Sequence, residues 1–203
     1  MEYKELKDQA CHYVDELKPV IYGIADALHD HPETGMNEVF ASTTLKKILQ
    51  DHGFAIDNPV ADAFPTAFHA VCGNGPFQMG FLAEYDALPE IGHGCGHNLI
   101  AAMSVGAALA FAKAAGTKAT VHVYGCPAEE TVGSKVYMSE HGVFDGLEAA
   151  VIVHPGTDQT YIGGTSYATH PLQFTFLGKA AHVADATYHA SMPSTPSSIS
   201  TAA

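Results

Sequence analysis

The side chains best suited to chemistry are concentrated between residues 77 and 98. An apolar run, Phe77 to Ala83, leads into an acidic turn, and a glycine-rich loop follows it. The alternating residues of that loop are Gly92, His93, Gly94, Cys95, Gly96 and His97. Because residues i and i+2 of an extended loop point the same way, Cys95 and His97 could hold one ion. A thiolate and an imidazole suit zinc or another late divalent metal. On this stretch alone, a glycine-rich turn with incidental polar residues remains the alternative.

Polar side chains also follow three predicted strands, at the point where each strand ends. Asp86 follows the strand that ends near Ala83, Glu129 and Glu130 follow the strand that ends near Gly125, and His154 directly follows Val153. Ligands of open α/β sheets bind outside the carboxyl ends of the strands, so these side chains should meet beside the Cys95/His97 loop. Taken alone, the Glu129-Glu130 pair could be an acidic pair at a helix N-terminus. Taken alone, His154-Pro155 could be a turn that ends a strand. Together they predict a metal site.

The elements that must position these residues are predicted from apolar periodicity. The predicted helices are 3–28, interrupted at Pro19, then 37–52 with Asn37 as N-cap, 98–115 and 131–140; the predicted strands are 66–71, 77–83, 120–125 and 149–153. In the second helix, Phe40, Leu45, Ile48 and Leu49 are expected to face inward. The turn Gly73-Asn74-Gly75 joins the first two strands. Alternating strands and helices predict a largely parallel sheet with helices on both faces.

Composition narrows the classes of partner. The 203 residues include 22 acidic and 9 basic side chains, a formal charge of −13, and 47% are hydrophobic. This balance repels phosphate backbones and anionic lipid, which argues against nucleic-acid and membrane partners. We expect no segment of transmembrane length, and the start MEYKELKDQA lacks the apolar core of a signal peptide. The four cysteines form no CxxC pattern, so a cytoplasmic protein with reduced thiols is predicted.

The pattern changes after residue 164, which predicts three regions. Residues 1–164 form the main α/β domain, and residues 165–189 begin a second domain, where Leu172, Phe174 and Phe176 alternate with polar residues as in a half-buried strand. Residues 190–203 are rich in Ser, Pro and Thr and are expected to be disordered. One DNA string that encodes this tail, regrouped one frame over, encodes a peptide with apolar residues at helical spacing, so we also predict a one-base deletion at or just before codon 190.

Several motifs carry a resemblance to a known family. In chain order, AEYDALP, GHGCGHN, PAEE and VHP resemble the aminoacylase/carboxypeptidase family of metallopeptidases, in its amidohydrolase branch; HDHPETGMNE and GKAAH fit as well. The resemblance covers about residues 20–189. It implies a zinc-peptidase-like α/β domain with two divalent metal ions, zinc or manganese, and an inserted α+β lid domain through which the full-length protein forms a homodimer.

The resemblance also implies a role for each site residue. Cys95 resembles the bridging ligand, and the terminal ligands are His97, Glu130 and His154. Glu129 resembles the general base, and Asp86 a carboxylate that orients a ligand. His182 is similar to the lid histidine that reaches a neighbouring active site and binds the substrate carbonyl. Glu84-Tyr85-Asp86 and Asn98 depart from the commoner MDALP and CGHD patterns, which favours the aminobenzoyl-glutamate and dipeptide side of the branch.

The expected function is therefore metal-dependent hydrolysis of amide bonds in small N-acyl or aminoacyl amino acids. Two alternatives stay open. One is a thiol amidase in which Cys95 is the nucleophile beside His97 or His93. The other is a non-catalytic fragment, because family members are about twice this length by the resemblance and their last ligand, a late histidine, has no counterpart after His189. The 203-residue form is then expected to be inactive or weakly active.

Overall fold

A computed structural model of the chain describes residues 3–157, 159–160 and 162–163. Residues 1–157 form one compact unit, and residues 158–203 are a second unit. The predicted lid segment 165–189, with His182, and the predicted tail 190–203 lie outside the described residues. All the helices and strands that the structure describes belong to the first unit.

Five helices form close to where the sequence predicts them. They are α1 (Tyr3–Glu16), α2 (Lys18–Asp30), α3 (Val39–Asp51), α4 (His97–Ala115) and α5 (Ser134–Glu140). Pro19 stands in the first turn of α2, where its missing N–H costs no helical hydrogen bond, so the long predicted helix divides there. The last helix starts three residues later than predicted, because residues 129–132 form turns.

The start of α3 differs from the prediction. Asn37 is not the N-cap; Glu38 holds that position, and its side chain makes no cap hydrogen bond. The first free N–H groups of the helix instead donate to a carboxylate from the preceding loop: Phe40 N to Glu33 Oε1 (2.9 Å) and Ala41 N to Glu33 Oε2 (3.0 Å). The expectation that Phe40 faces inward is also wrong, since it is 37% exposed and stacks on His31.

One five-stranded sheet lies at the centre, in the order β1-β2-β4-β3-β5. The strands are β1 (Ala55–Asp57), β2 (Phe68–Gly73), β3 (Phe77–Ala83), β4 (Ala119–Gly125) and β5 (Ala149–Val151). Although β2 and β3 are consecutive in the chain, they do not pair, because β4 inserts between them, antiparallel to β2 and parallel to β3. The sheet is thus mixed, with β1–β2 antiparallel and β3–β5 parallel, where a largely parallel sheet was predicted.

Side chains of the strands alternate between two apolar clusters, one on each face of the sheet. Along β4, Val121 and Val123 join the larger cluster with α2, α3 and α4, whereas Tyr124 joins a smaller cluster with Met138 of α5. Helices therefore cover both faces, as the sequence predicts.

Helix α4 links the core to the glycine-rich loop. It is apolar on nearly every side, and the stretch His97–Lys118 is long and apolar enough to span a membrane, contrary to the expectation from the sequence. Here it is a core helix: Asn98 Nδ2 donates to Ala25 O of α2 (3.0 Å), and Ser104 Oγ donates to Leu82 O of β3 (2.5 Å). These buried bonds fix the first residue of α4, His97, relative to the end of β3.

Two helical glycines test this packing. An added Cβ at the buried Gly106 of α4 would lie 2.6 Å from Ile21 Cγ1 of α2, whereas one at the exposed Gly23 of α2 would meet nothing within 4 Å. We expect Gly106→Ala to lower the free energy of unfolding by about 1–3 kcal/mol through overpacking. Gly23→Ala should raise it by about 0.5–1 kcal/mol, because alanine favours the helix. Urea unfolding measures both, and a Gly106→Ala chain as stable as Gly23→Ala would contradict the α2–α4 packing.

Candidate metal centre

The predicted site residues come from the carboxyl ends of β3, β4 and β5. Glu84 and Asp86 follow β3, Glu129 and Glu130 follow β4, and His154 follows β5. The three strands run parallel, so their ends lie at one edge of the sheet. The start of α4 brings His97 to the same edge. The structure thus brings together five of the residues singled out in the sequence, namely Asp86, His97, Glu129, Glu130 and His154.

A buried hydrogen bond between Asp86 and His97 organises the centre. His97 Nδ1 donates to Asp86 Oδ1 (3.0 Å), and the other oxygen, Oδ2, accepts from the backbone N–H of Glu130 (3.0 Å). Burial alone would raise the pKa of Asp86, but the bonds from His97 and Glu130 outweigh it and lower that pKa. One ionised carboxylate therefore fixes both an imidazole and a turn of the β4–α5 loop.

The second nitrogen of His97 is the most unusual atom of the site. Since a carboxylate can only accept, Nδ1 carries the hydrogen and the neutral ring has its lone pair on Nε2. That Nε2 is buried without a hydrogen-bond partner. It faces carboxylate oxygens at 3.5 Å from Glu84, 3.7 Å from Glu130 and 3.9 Å from Glu129. A lone pair that faces acceptors only is stabilised by a cation between them.

The same acids shift the pKa of His97. Burial alone would lower it, but the hydrogen bond to Asp86 and the charges of Asp86, Glu84 and Glu129 together raise it. A proton on Nε2 is one way to satisfy this ring of acceptors. A divalent metal ion is another, and it would balance more of the negative charge.

Two overlapping groups of donor atoms surround His97. The first group consists of Glu84, His97 and His154, and the second group consists of His97, Glu129 and Glu130. Within each group, one ligand atom of each residue lies within 4.8 Å of the ligand atoms of the other two. His154 Nδ1 donates to Pro155 O (2.8 Å), which leaves its Nε2 with the free lone pair. The donor chemistry and the orphaned buried atoms fit a metal ion. Because one nitrogen lone pair binds one ion, a second ion would need another shared donor.

The strand end of β5 reaches His97 because of a glycine. Gly96, the residue before α4, has φ +77°, and an added Cβ there would lie 2.9 Å from Pro155 Cγ. Only glycine permits this close approach without strain. The rings of His97 and His154 consequently lie 5.9 Å apart, nearly perpendicular to each other.

Glu84 is a donor that the sequence analysis did not assign. Its Oε1 forms an ion pair with Lys135 of α5, and its buried Oε2 has no hydrogen-bond partner. The signal was present in the sequence, because Glu84 and Asp86 stand at i and i+2 after a strand and so point the same way. Between them, Tyr85 points into the core and donates from its hydroxyl to Thr66 O (2.7 Å).

Cys95, predicted to bridge two ions, belongs to neither donor group within the described residues. The Glu130 carboxylate beside the thiol, together with burial and the charges of Glu129 and Asp86, raises the pKa of Cys95 to about 11. The thiol thus lies beside one of the donors and apart from the others. Its bridging role stays a prediction.

The residues of this centre lie within a stretch that matches a known protein family. Residues 80–200 match the family described as Peptidase family M20/M25/M40, and this range includes the end of β3, the glycine-rich loop, α4, β4, α5 and β5. The chain belongs to this family. The resemblance found in the sequence motifs is therefore confirmed.

Two curated proteins show what this M20-family chain resembles. It is 36% identical over 182 residues to one of the subunits of p-aminobenzoyl-glutamate hydrolase from Escherichia coli (strain K12), covering 80% of this chain and 38% of that protein. It is 34% identical over 198 residues to Xaa-Arg dipeptidase of Mus musculus, covering 90% of this chain and 46% of that protein. The M20-family chain thus spans less than half of the length of either relative.

A solved structure shows the same fold. The Bacillus subtilis YXEP protein, described as a dinuclear metal binding peptidase from the M20 family, matches with a TM-score of 0.57 at 24% identity over 67% of this M20-family chain and 42% of its own. The α/β fold class predicted from the sequence is confirmed.

Substitution of Asp86 tests how the centre is held. The Asp86→Asn side chain has only one acceptor oxygen, whereas two donors, His97 Nδ1–H and the Glu130 N–H, face it. One of the two hydrogen bonds is therefore lost. Either the tautomer of His97 or the position of the β4–α5 loop is then no longer fixed. We expect zinc affinity to fall about 10–100-fold, as is typical when the partner of a metal-ligating histidine is changed. Competition with a chromophoric chelator measures it. The exposed Asp26→Asn on α2 is the matched control. Equal affinity of the two variants would show that the Asp86 bond does not hold a metal ligand.

Proposed function

We propose that this chain belongs to a metal-dependent hydrolase of amide bonds in small N-acyl or aminoacyl amino acids, with p-aminobenzoyl-glutamate-like or dipeptide substrates. The observation that carries the proposal is the buried, unpartnered Nε2 of His97, which faces oxygens of Glu84, Glu129 and Glu130. Family membership supports the reaction class, and the names of the two curated relatives support the substrate class.

His97, Glu130 and His154 would hold the metal, with Glu84 as a further donor and Cys95 as the ligand shared with a second ion. We infer zinc or manganese, since nitrogen, oxygen and sulfur donors suit late divalent ions. Glu130 is the better ligand of the acidic pair because Asp86 fixes its backbone and its side chain is less exposed than that of Glu129, 28% against 39%. When bound, the metal would polarise the scissile carbonyl and acidify the attacking water.

Glu129 has the properties of a general base. Its Oε2 lies 3.9 Å from His97 Nε2, at the rim of the donor group, and its side chain is open to solvent and substrate. We infer that this oxygen accepts a proton from the attacking water and then delivers it to the nitrogen of the departing amine. Asp86 keeps a hydrogen on His97 Nδ1 throughout, so that Nε2 keeps its lone pair for the metal.

The thiol amidase alternative is not favoured by the surroundings of Cys95. A nucleophilic cysteine needs a pKa lowered by cationic neighbours. Here the neighbours of Cys95 are acids, chiefly Glu130, and they raise its pKa to about 11. A bound metal ion, and not a neighbouring base, would supply the positive charge that a Cys95 thiolate needs.

For the whole protein we propose further features that the described residues do not include. These are small amide or dipeptide substrates, a cytoplasmic location and a homodimer formed through a lid domain that begins near residue 165. His182 is the proposed contact from that lid to the substrate carbonyl. The motif resemblance supports the substrates, the lid and the dimer, and the cysteine pattern supports the cytoplasmic location.

Replacing Glu129 separates catalysis from metal binding. Glu129→Gln keeps the volume of the side chain but cannot accept a proton. We expect hydrolysis of p-aminobenzoyl-glutamate by the intact protein to fall by about 10²–10⁴-fold, the usual contribution of a general base. Elemental analysis should show unchanged metal content. The exposed Glu140→Gln at the end of α5 is the matched control and should keep full activity.

The same assay includes a chelator arm. Thorough chelation should abolish hydrolysis by the wild type, and added zinc or manganese should restore it. Hydrolysis that persists in the metal-free protein would overturn the proposed function. Full activity of metal-loaded Glu129→Gln would remove Glu129 from the role of base.

A further inference from the structure

The turn before the acidic pair has an uncommon backbone conformation. Ala128 adopts φ +56°, in the left-handed region that side chains other than glycine rarely occupy. Its carbonyl accepts from Gly133 N (2.8 Å), which closes the turn on the other side. Glu129 and Glu130 follow directly, so the direction in which their side chains leave the sheet depends on this residue.

A buried carboxylate holds Ala128 in that conformation. The N–H of Ala128 donates to Glu38 Oε1 (2.7 Å), and the hydroxyl of Thr66 donates to Glu38 Oε2 (2.9 Å). Glu38 is 0% exposed, although it follows an exposed loop. Burial raises the pKa of this carboxyl. Its hydrogen bonds act in the opposite direction but are outweighed. No ion pair with Glu38 occurs among the described residues.

Burial of a carboxylate without a cation is costly, and an apolar residue would pack there at lower cost. The polar bonds of Glu38 therefore need a reason other than packing. The only backbone group outside its own segment that Glu38 binds, within the described part of the chain, is the N–H of Ala128.

The loop that carries Glu38 is itself fastened to the centre. The carbonyl of Glu33 accepts from Ala87 N (2.7 Å), just after Asp86, and the Glu33 side chain caps α3. Gly35 lies so close to the β4–α5 loop that an added Cβ would be 3.1 Å from Ala128 Cα. Residues 33–38 thus connect the segment that follows β3 with the segment that follows β4.

We propose that Glu38 is a positioning residue for the Glu129–Glu130 pair, which acts by holding Ala128 in its left-handed conformation. Glu38 is not a catalytic residue, because its side-chain hydrogen bonds among the described residues go to Thr66 and to the Ala128 N–H and not to a donor atom of the centre. The inference rests on the proposed function for its effect on turnover. Its effects on metal affinity and on the loop do not require turnover.

The test compares Glu38→Leu, which fills the site without acceptors, with Glu38→Gln, which keeps one acceptor oxygen, each with and without Ala128→Gly. Leu45→Ala is the control, because it should weaken α3 through a cavity in the larger apolar cluster, to which neither Ala128 nor Thr66 belongs. The measurements are hydrogen exchange of the Ala128 and Glu130 amides by NMR, zinc affinity by chelator competition, and kcat and KM for p-aminobenzoyl-glutamate in the intact protein.

We expect Glu38→Leu to speed exchange at both amides at least tenfold and to weaken zinc binding about 10–100-fold, as for other residues that orient ligands. In the intact protein kcat should fall by a similar factor with little change in KM. Glu38→Gln should lose less than Glu38→Leu. Ala128→Gly should recover at least half of the lost zinc affinity, on a logarithmic scale, because glycine adopts φ +56° without help. Leu45→Ala should lower stability and leave zinc affinity intact.

Unchanged zinc affinity and Glu130 exchange in Glu38→Leu would overturn the proposal, and so would the absence of rescue by Ala128→Gly. If Glu38→Leu does not fold, Glu38→Gln with and without Ala128→Gly decides by the same readouts. A wild-type protein that binds zinc but hydrolyses no amide would overturn the proposed function alone, since exchange and affinity would still report on Glu38.

Discussion

The hydrogen bond between Asp86 and His97 is the interaction on which the rest of the centre depends. It places the hydrogen of a buried imidazole on Nδ1 and so aims the Nε2 lone pair at carboxylates from two other segments. The second oxygen of Asp86 holds the Glu130 backbone, so one side chain couples the start of α4 to the β4–α5 loop. Carboxylates gathered around a buried nitrogen would repel one another. A divalent cation bound between them makes the net electrostatic interaction attractive.

The fold supplies the geometry that this interaction needs. Parallel pairing of β4 and β5 with β3 brings three strand ends to one edge, and the burial of α4 between α2 and the sheet sets the position of His97. Lys135 is the one lysine of the described residues that pairs with a carboxylate of the centre, through Glu84. Asp86 is held by His97 and by the Glu130 N–H, so no second lysine among the described residues offsets the negative charge of the centre.

Much of this could be predicted from the sequence, because apolar periodicity and the position of polar residues after strands are local signals. They predicted the helices, four of the strands and five side chains of the centre. The order of the strands depends on long-range packing, which explains why β2 and β3 were expected to be neighbours although β4 lies between them. The Asn37 cap failed because a residue four positions earlier, Glu33, binds the same helix end. Glu84 was missed although its i, i+2 spacing to Asp86 pointed to it, and the structure adds its contact with His97 Nε2.

The most direct measurement is NMR of the ring nitrogens of His97 in 15N-histidine-labelled protein, with 113Cd as the metal. We expect Nδ1 to stay protonated throughout and Nε2, at saturating cadmium, to show a one-bond coupling to 113Cd. A hydrogen on Nε2 with the lone pair on Nδ1, or a His97 ring without any coupling at saturating cadmium, would contradict the claim that Asp86 aims this nitrogen at a metal.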